Sequence, residues 1–303
     1  MNRWLLPILL IFASGPAGAA AEEAAGLQAM NYVYNRSESP SDEADHYLWN
    51  VLEAALQRTR PDYGDYQLIS APPMPTERRA YAVANGLEGV TVAILDPNPE
   101  REGHLLPVRI PVDRGLLGYR ILLIDAKDQP RFSAVAKAAD LKPFRFGLLP
   151  WWDDAAIMRG AGFQVVAGAS YDGLFQMLAA HRFDAFSRGV GEVLAEYEGR
   201  KPSMPGLAVE RHLLLHYRVP IYFWFRDDEE GRRRAERVRA GLEQMVADGA
   251  LKKMFDAEFG PSLARLDLVH RLVIELPNPL LDPALFPADP ELWYRPVPDA
   301  AAH

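Results

Sequence analysis

The patterned part of the chain begins at Met30–Tyr34 (MNYVY), an aromatic and β-branched run that predicts a strand. Arg36–Asp45 is polar and reads as a loop, in which Ser41 or Asp42 can cap the next element. Leu48, Val51, Leu52, Ala55 and Leu56 recur at helical spacing, so Ala44–Arg58 is an amphipathic helix. Tyr66–Ile69 is a second strand, closed by Ala71-Pro72-Pro73. Thr76–Asn85 is a helix stopped by Gly86, and Gly89–Leu95 (GVTVAIL) a third strand ended by Asp96-Pro97-Asn98-Pro99. The order β-α-β-α-β predicts a sheet with crossover helices.

A different pattern follows. Asn98–Ile124 carries Arg101, Arg109, Arg114 and Arg120, and no lysine, among strand-like apolar runs. Leu105–Val112 alternates polar and apolar positions, and Leu116–Asp125 is a more continuous strand. A second alternating unit then spans roughly Asp125–Leu213. Its predicted helices are Ala134–Ala139, Asp153–Ala161, Leu174–Ala180 and Arg188–Tyr197. Its predicted strands are Phe144–Leu149, Phe163–Ala167 and Phe183–Ser187. Leu213–Phe225 (LLLHYRVPIYFWF) reads as strands returning to the first unit. Arg232–Asp248 is a charged helix with an apolar stripe of Val238, Leu242, Met245 and Val246, stopped at Gly249. Leu251–Phe259 is a helix ended by Gly260-Pro261. From Pro277 onward seven prolines predict an extended tail over the surface.

The start and the composition narrow the class. Arg3, the short apolar run Trp4–Ala13 and the small residues Ser14–Ala21 form an export signal, with cleavage after Ala19 or Ala21. An uncleaved anchor is the plainer alternative, but the run is short of the roughly 20 residues a bilayer requires. The chain has 303 residues, enough for two lobes, and a net charge of −8. That acidity argues against nonspecific nucleic-acid binding. There is no cysteine, which rules out disulfides, thiolate metal sites and cysteine nucleophiles. The seven histidines show no metal spacing, and no nucleotide-binding or serine-hydrolase motif is present, so no cofactor is expected.

Three stretches carry a resemblance. DLKPFRFGLLPWWDDAAIMRGAG at Asp140–Gly162, YDGLFQMLAAHRFDAF at Tyr171–Phe186 and GLEQMVADGALKKMFDAEFG at Gly241–Gly260 resemble, in order, segments of type 2 periplasmic solute-binding proteins of extracellular family 3. The Arg-Ile-Pro and Gly-Leu-Leu-Gly-Tyr-Arg segments resemble a narrower group of exported proteobacterial proteins. The resemblance covers roughly Met30–Gly260. It implies an α/β fold of two lobes joined by two crossing strands, closing on a small-molecule solute by a hinge motion. It also implies a division into a signal peptide (1–21), a discontinuous first lobe (22–119 and 215–265), a second lobe (120–214) and a Pro-rich tail (266–303). A periplasmic monomer, serving an ABC permease or a membrane sensor, is expected.

The same resemblance singles out site residues. Asn98-Pro99-Glu100-Arg101 resembles the family's Thr-Pro-Glu-Arg turn, whose arginine grips a ligand carboxylate, so Arg101 is the leading candidate. Arg109 either faces the cleft or pairs with an acid, whereas Arg114 and Arg120 are expected in structural or surface roles. Amino-acid binders place an aspartate where this chain has Gly189, beside Arg188. That change favours an anionic group over an ammonium. Glu192, one helical turn on, either substitutes as the acid or neutralises Arg188. Trp151 and Trp152 stand at a strand-to-helix junction and can stack on a solute. Asp153 and Asp154 make good helix-start charges and would repel an anion at that site. Tyr34 and Tyr171 are secondary candidates, since such aromatics are more often core.

The expected function is therefore non-enzymatic capture of a small anionic organic solute between Arg101 and Arg188. A lyase on the same fold, with Glu192 as its acid/base group, is one rival reading. The other is an interaction module whose cleft no longer binds a solute.

Overall fold

The computed structural model describes residues 29–36 and 44–296. The export signal and the capping residues Ser41 and Asp42 lie outside these described residues. The chain runs β1 (Met30–Asn35), α1 (Ala44–Arg58), α2 (Arg60–Tyr63), β2 (Tyr66–Ala71), α3 (Thr76–Asn85), β3 (Ala93–Leu95), α4 (Pro99–His104) and β4 (Leu105–Val108). It crosses to β5 (Tyr119–Asp125), α5 (Gln129–Ser133), β6 (Arg145–Leu148), α6 (Asp153–Gly160), β7 (Gln164–Ala167), α7 (Tyr171–Ala179), β8 (Ala185–Gly189), α8 (Val193–Arg200), β9 (Leu207–Val209) and β10 (Leu213–His216). It returns through β11 (Tyr222–Arg226), α9 (Glu229–Ala247) and α10 (Ala250–Leu266), then adds β12 (Leu272–Glu275).

The first lobe holds a parallel β1–β2 pair and an antiparallel sheet in the order β3-β11-β4. Val33 of β1 ties the two together: its carbonyl accepts from Thr91 N and its N–H donates to Thr91 Oγ1. The second lobe is one larger sheet, β12-β10-β5-β8-β6-β7, with β9 on β5. β5 is apolar at successive positions because both faces of the sheet are covered. Ile121 and Leu123 join a cluster that continues into the first lobe through Val51, Leu52, Phe223 and Phe225. Leu122 and Ile124 join a second cluster with Phe146, Leu148, Ile157 and Met158. An apolar core therefore runs through the junction of the lobes.

Several predicted elements move. Arg188 sits on β8, and its helix starts only at Val193, because the strand pairs with β5 as far as Arg120–Gly189. The helix expected at Ala134–Ala139 is replaced by α5 and a turn at Ala138–Leu141. β10 stays in the second lobe, antiparallel to β5, and only β11 returns to the first. α10 runs through Pro261 to Leu266, because Leu263 and Leu266 continue the buried stripe of Phe255 and Phe259. β12 lies within the expected tail and pairs in parallel with β10.

One buried arginine organises the first lobe. Arg237 on α9 is fully buried. Its fork donates to the carbonyls of Leu56, Tyr63, Gly64 and Asp65 and to Thr59 Oγ1, at 2.7–3.5 Å. These carbonyls lie at and just beyond the ends of α1 and α2, where intrahelical N–H donors run out. Removing the donor takes away all five of these hydrogen bonds at once, so Arg237→Met is expected to cost about 3 kcal/mol in urea denaturation. Arg237→Lys should recover little, because a lysine ammonium lacks the planar fork.

Candidate functional site

The junction is built from short elements that each deliver one charge. Asn98 caps α4 by accepting from Arg101 N at 2.9 Å, and Pro99 takes the first helical turn. This folds Arg101 back on the end of β3. Its Nη1 donates to the Asp96 carbonyl at 2.8 Å and to Asp96 Oδ1 at 2.7 Å. The same nitrogen reaches Asp153 Oδ2 of the second lobe at 3.3 Å. Asp153 and Asp154 occupy the first turn of α6, where a helix start favours carboxylates.

Asp154 continues the chain of charges inward. Its Oδ2 lies 2.5 Å from Arg120 Nη2, and its other oxygen accepts from the Tyr217 hydroxyl. Arg120 and Arg188 are neighbours in the β5–β8 ladder, opposite Gly189 and Ile121 respectively. Successive strand positions alternate faces, so the two arginines leave the sheet on opposite sides. Glu192 stands just beyond the end of β8 and touches both, at 4.0 Å from Arg120 and 3.0 Å from Arg188. It also accepts from Gly189 N at 2.9 Å. A Cβ at position 189 would sit 2.9 Å from Glu192 Oε1, so glycine there makes room for this carboxylate.

Arg188 is caged. Its Nε and Nη2 meet Glu196 at 2.7 and 2.5 Å, and Glu196 also accepts from the Tyr171 hydroxyl at 2.6 Å. The guanidinium lies 5.0–5.3 Å from the ring centres of Trp152, Tyr171 and Phe186. Such enclosure by rings and paired acids makes burial of the charge tolerable. Burial pulls the Arg188 pKa down, but Glu192 and Glu196 outweigh it and hold the group charged. Burial also pushes Glu196 up, against the opposing pull of Arg188, whereas Arg188 and Arg120 bring Glu192 below its usual value.

The sequence-predicted residues therefore separate. Arg101, Arg188, Trp152, Tyr171 and Glu192 belong to one continuous network across the lobes. Glu192 takes its neutralising role. Trp152 is engaged by Arg188 and by Phe186, which it stacks at 9°. Trp151 is half exposed. Arg109 is held by both oxygens of Glu102, at 2.9 and 2.5 Å. The ring of Tyr34 packs on Trp49, with centroids 4.4 Å apart. Sequence reasoning missed Asp96, Glu196 and Tyr217. It read Asp153 and Asp154 as helix-start charges that repel an anion and missed their pairing with Arg101 and Arg120. Arg120 is structural as expected, but it lies at the centre of the network.

Counted by charge, three guanidiniums (Arg101, Arg120, Arg188) face five carboxyls (Asp96, Asp153, Asp154, Glu192, Glu196). The excess is felt at Asp96, whose pKa is pushed up to about 6 by burial and by Asp153, against the opposing pull of Arg101. An unfolded aspartate titrates near pH ~4. The folded form thus holds more protons between these values, and stability falls as pH rises from about 4 to about 6. Asp96→Asn should remove the part of this slope that Asp96 carries, leaving the part carried by Asp113, which burial also pushes up to about 6. Urea midpoints across that range are expected to show the variant gaining on the parent with rising pH. A pH-independent difference would contradict the assignment.

No protein-family model matches the chain, and no curated protein matches it. Solved structures do. An ancestral arginine-binding protein bound to arginine is 18% identical with a TM-score of 0.54, covering 77% of this chain and 100% of its own. The GluR0 ligand-binding core in complex with L-glutamate is 12% identical with a TM-score of 0.58, covering 78% and 100%. A probable amino-acid ABC transporter extracellular-binding protein of Bacillus subtilis is 15% identical with a TM-score of 0.55, covering 77% and 98%. At these identities the likeness is one of fold: the chain has the two-lobed α/β fold shared by periplasmic amino-acid-binding proteins and the GluR0 ligand-binding core.

Proposed function

We propose that this protein is an exported solute-binding protein that captures a small carboxylated organic solute between its lobes, without chemistry of its own. The observation that carries the reading is the state of Arg101. All three hydrogen bonds of its guanidinium leave from Nη1, and its Nε/Nη2 edge bonds to none of the described residues. That edge is the one a carboxylate engages with two parallel hydrogen bonds. Arg188 does not share this role, because Glu192, Glu196 and three rings already enclose it. The surplus of carboxyls around Asp96 and Asp153 supports a solute that carries a cationic group as well. The binding proteins among the structural neighbours support capture over catalysis. Delivery to an ABC permease, or reading by a membrane sensor, is the role such capture would serve in the periplasm.

Calorimetry with mono- and dicarboxylates and amino acids tests the reading. Arg101→Ala is expected to weaken binding about 10- to 100-fold, the worth of a charged hydrogen-bond pair. Arg188→Ala should instead cost about 3 kcal/mol of stability, because Glu196 loses both of its bonds to the guanidinium and Glu192 its nearer cation. Unchanged affinity in Arg101→Ala would remove the site.

A further inference from the structure

The chain passes between the lobes behind the charged cleft in two segments. Pro111–Gly118 leads out of the first lobe and Tyr217–Ile221 leads back. They are stitched together: Val112 N donates to Ile221 O at 3.0 Å and Tyr217 N to Gly118 O at 3.1 Å. The buried Asp113 carboxylate adds three bonds, from Gly115 N, Leu117 N and Ile221 N. This is hinge architecture, and any separation of the lobes must flex it.

A third segment overlies these two. After β12 the chain makes two Asp-Pro turns at Pro283–Leu285 and Pro290–Leu292, each capped by its aspartate. Leu276 and Leu281 are buried in the second lobe's core, and Pro279 packs on Gly160 of α6. Tyr294, at the other end, packs on Phe255 of α10 in the first lobe. Between these ends the segment grips both hinge strands. Asn278 donates to Arg218 O, and Arg218 donates to Pro287 O at 3.0 Å. The Arg218 guanidinium lies 4.0 Å from the Trp293 ring centre and 4.9 Å from that of Phe286. On the outgoing strand, Tyr294 N donates to Arg114 O at 2.7 Å and Arg114 Nη2 to Glu291 O at 3.0 Å. Trp293 fills the space over Gly115, which has φ +72 and where a Cβ would meet the indole at 2.6 Å.

We infer that Leu276–Tyr294 is a strap that joins the two lobes behind the hinge and restrains their separation. The strap holds the outgoing strand through Arg114 and Gly115 and the returning strand through Arg218, so opening must break contacts on one of them. This inference goes beyond the solute reading and stands on the hinge geometry alone.

The cysteine-free chain permits a direct test. Spin labels at Tyr81→Cys, exposed on the first lobe, and Ala169→Cys, exposed on the second, report the inter-lobe distance without background labelling. Arg218→Ala combined with Trp293→Ala is expected to add a longer-distance population, while the strap control Leu285→Ala leaves the distribution as in the parent. Hydrogen exchange at the Val112 and Tyr217 amides should accelerate about tenfold. Unchanged distances and exchange in a folded double variant would overturn the strap. If the double variant fails to fold, Arg218→Ala alone, which removes an exposed side chain, decides between the same two outcomes. No solute is needed, so failure of the carboxylate reading in calorimetry is scored separately.

Discussion

A guanidinium taken out of water must be given acceptors, and at the junction of the lobes carboxylates supply them. Arg120 and Arg188 are 2% and 6% exposed, on neighbouring positions of the β5–β8 ladder but on opposite faces. Each face must therefore supply its own acid. α6 brings Asp154 to one and α8 brings Glu196 to the other, while Glu192 serves both. Placing α6 for Asp154 also places Asp153, one residue earlier, within reach of Arg101 on the opposite lobe. Pairing inside the second lobe thus sets the contact between lobes.

The same logic of buried donors and acceptors recurs outside the cleft. Arg237 gathers the carbonyls at the ends of α1 and α2, with the rings of Tyr63 and Tyr66 against it. Asp113 answers three backbone N–H groups at the hinge, and burial pushes its pKa up to about 6 despite them. Arg218 and Arg114 tie the C-terminal segment to the crossing strands. The architecture is one in which charges from distant parts of the sequence hold short, irregular elements in register.

The alternating β/α units, the helix at Ala44–Arg58 and the return of the chain after a complete second unit were legible, because each rests on local periodicity. The end of β8 was not: FSRG reads equally as a helix start, and only pairing with β5 decides it. α10 passing Pro261 was hidden because its continuation depends on burial of Leu263 and Leu266 rather than on local propensity. At the junction, the Asn98-Pro99 turn that carries Arg101 was legible, as was the pairing of Glu192 with Arg188 from their spacing. Asp154 with Arg120, and Asp96 with Asp153, are pairs set by tertiary structure, with no spacing signal. Gly189 was read as the loss of an acid. The structure instead shows a carboxylate arriving there from Glu192, which needs the space a side chain would take.

The central proposal is a division of labour, in which the protein's own acids engage Arg188 and Arg120 and one edge of Arg101 is left for a solute. Nitrogen NMR of the arginine side chains reads this directly. On titration with a carboxylate that binds, the account predicts that the Arg101 Nε–H resonance shifts while those of Arg120 and Arg188 stay in place. A shift at Arg188 with Arg101 unmoved would contradict it.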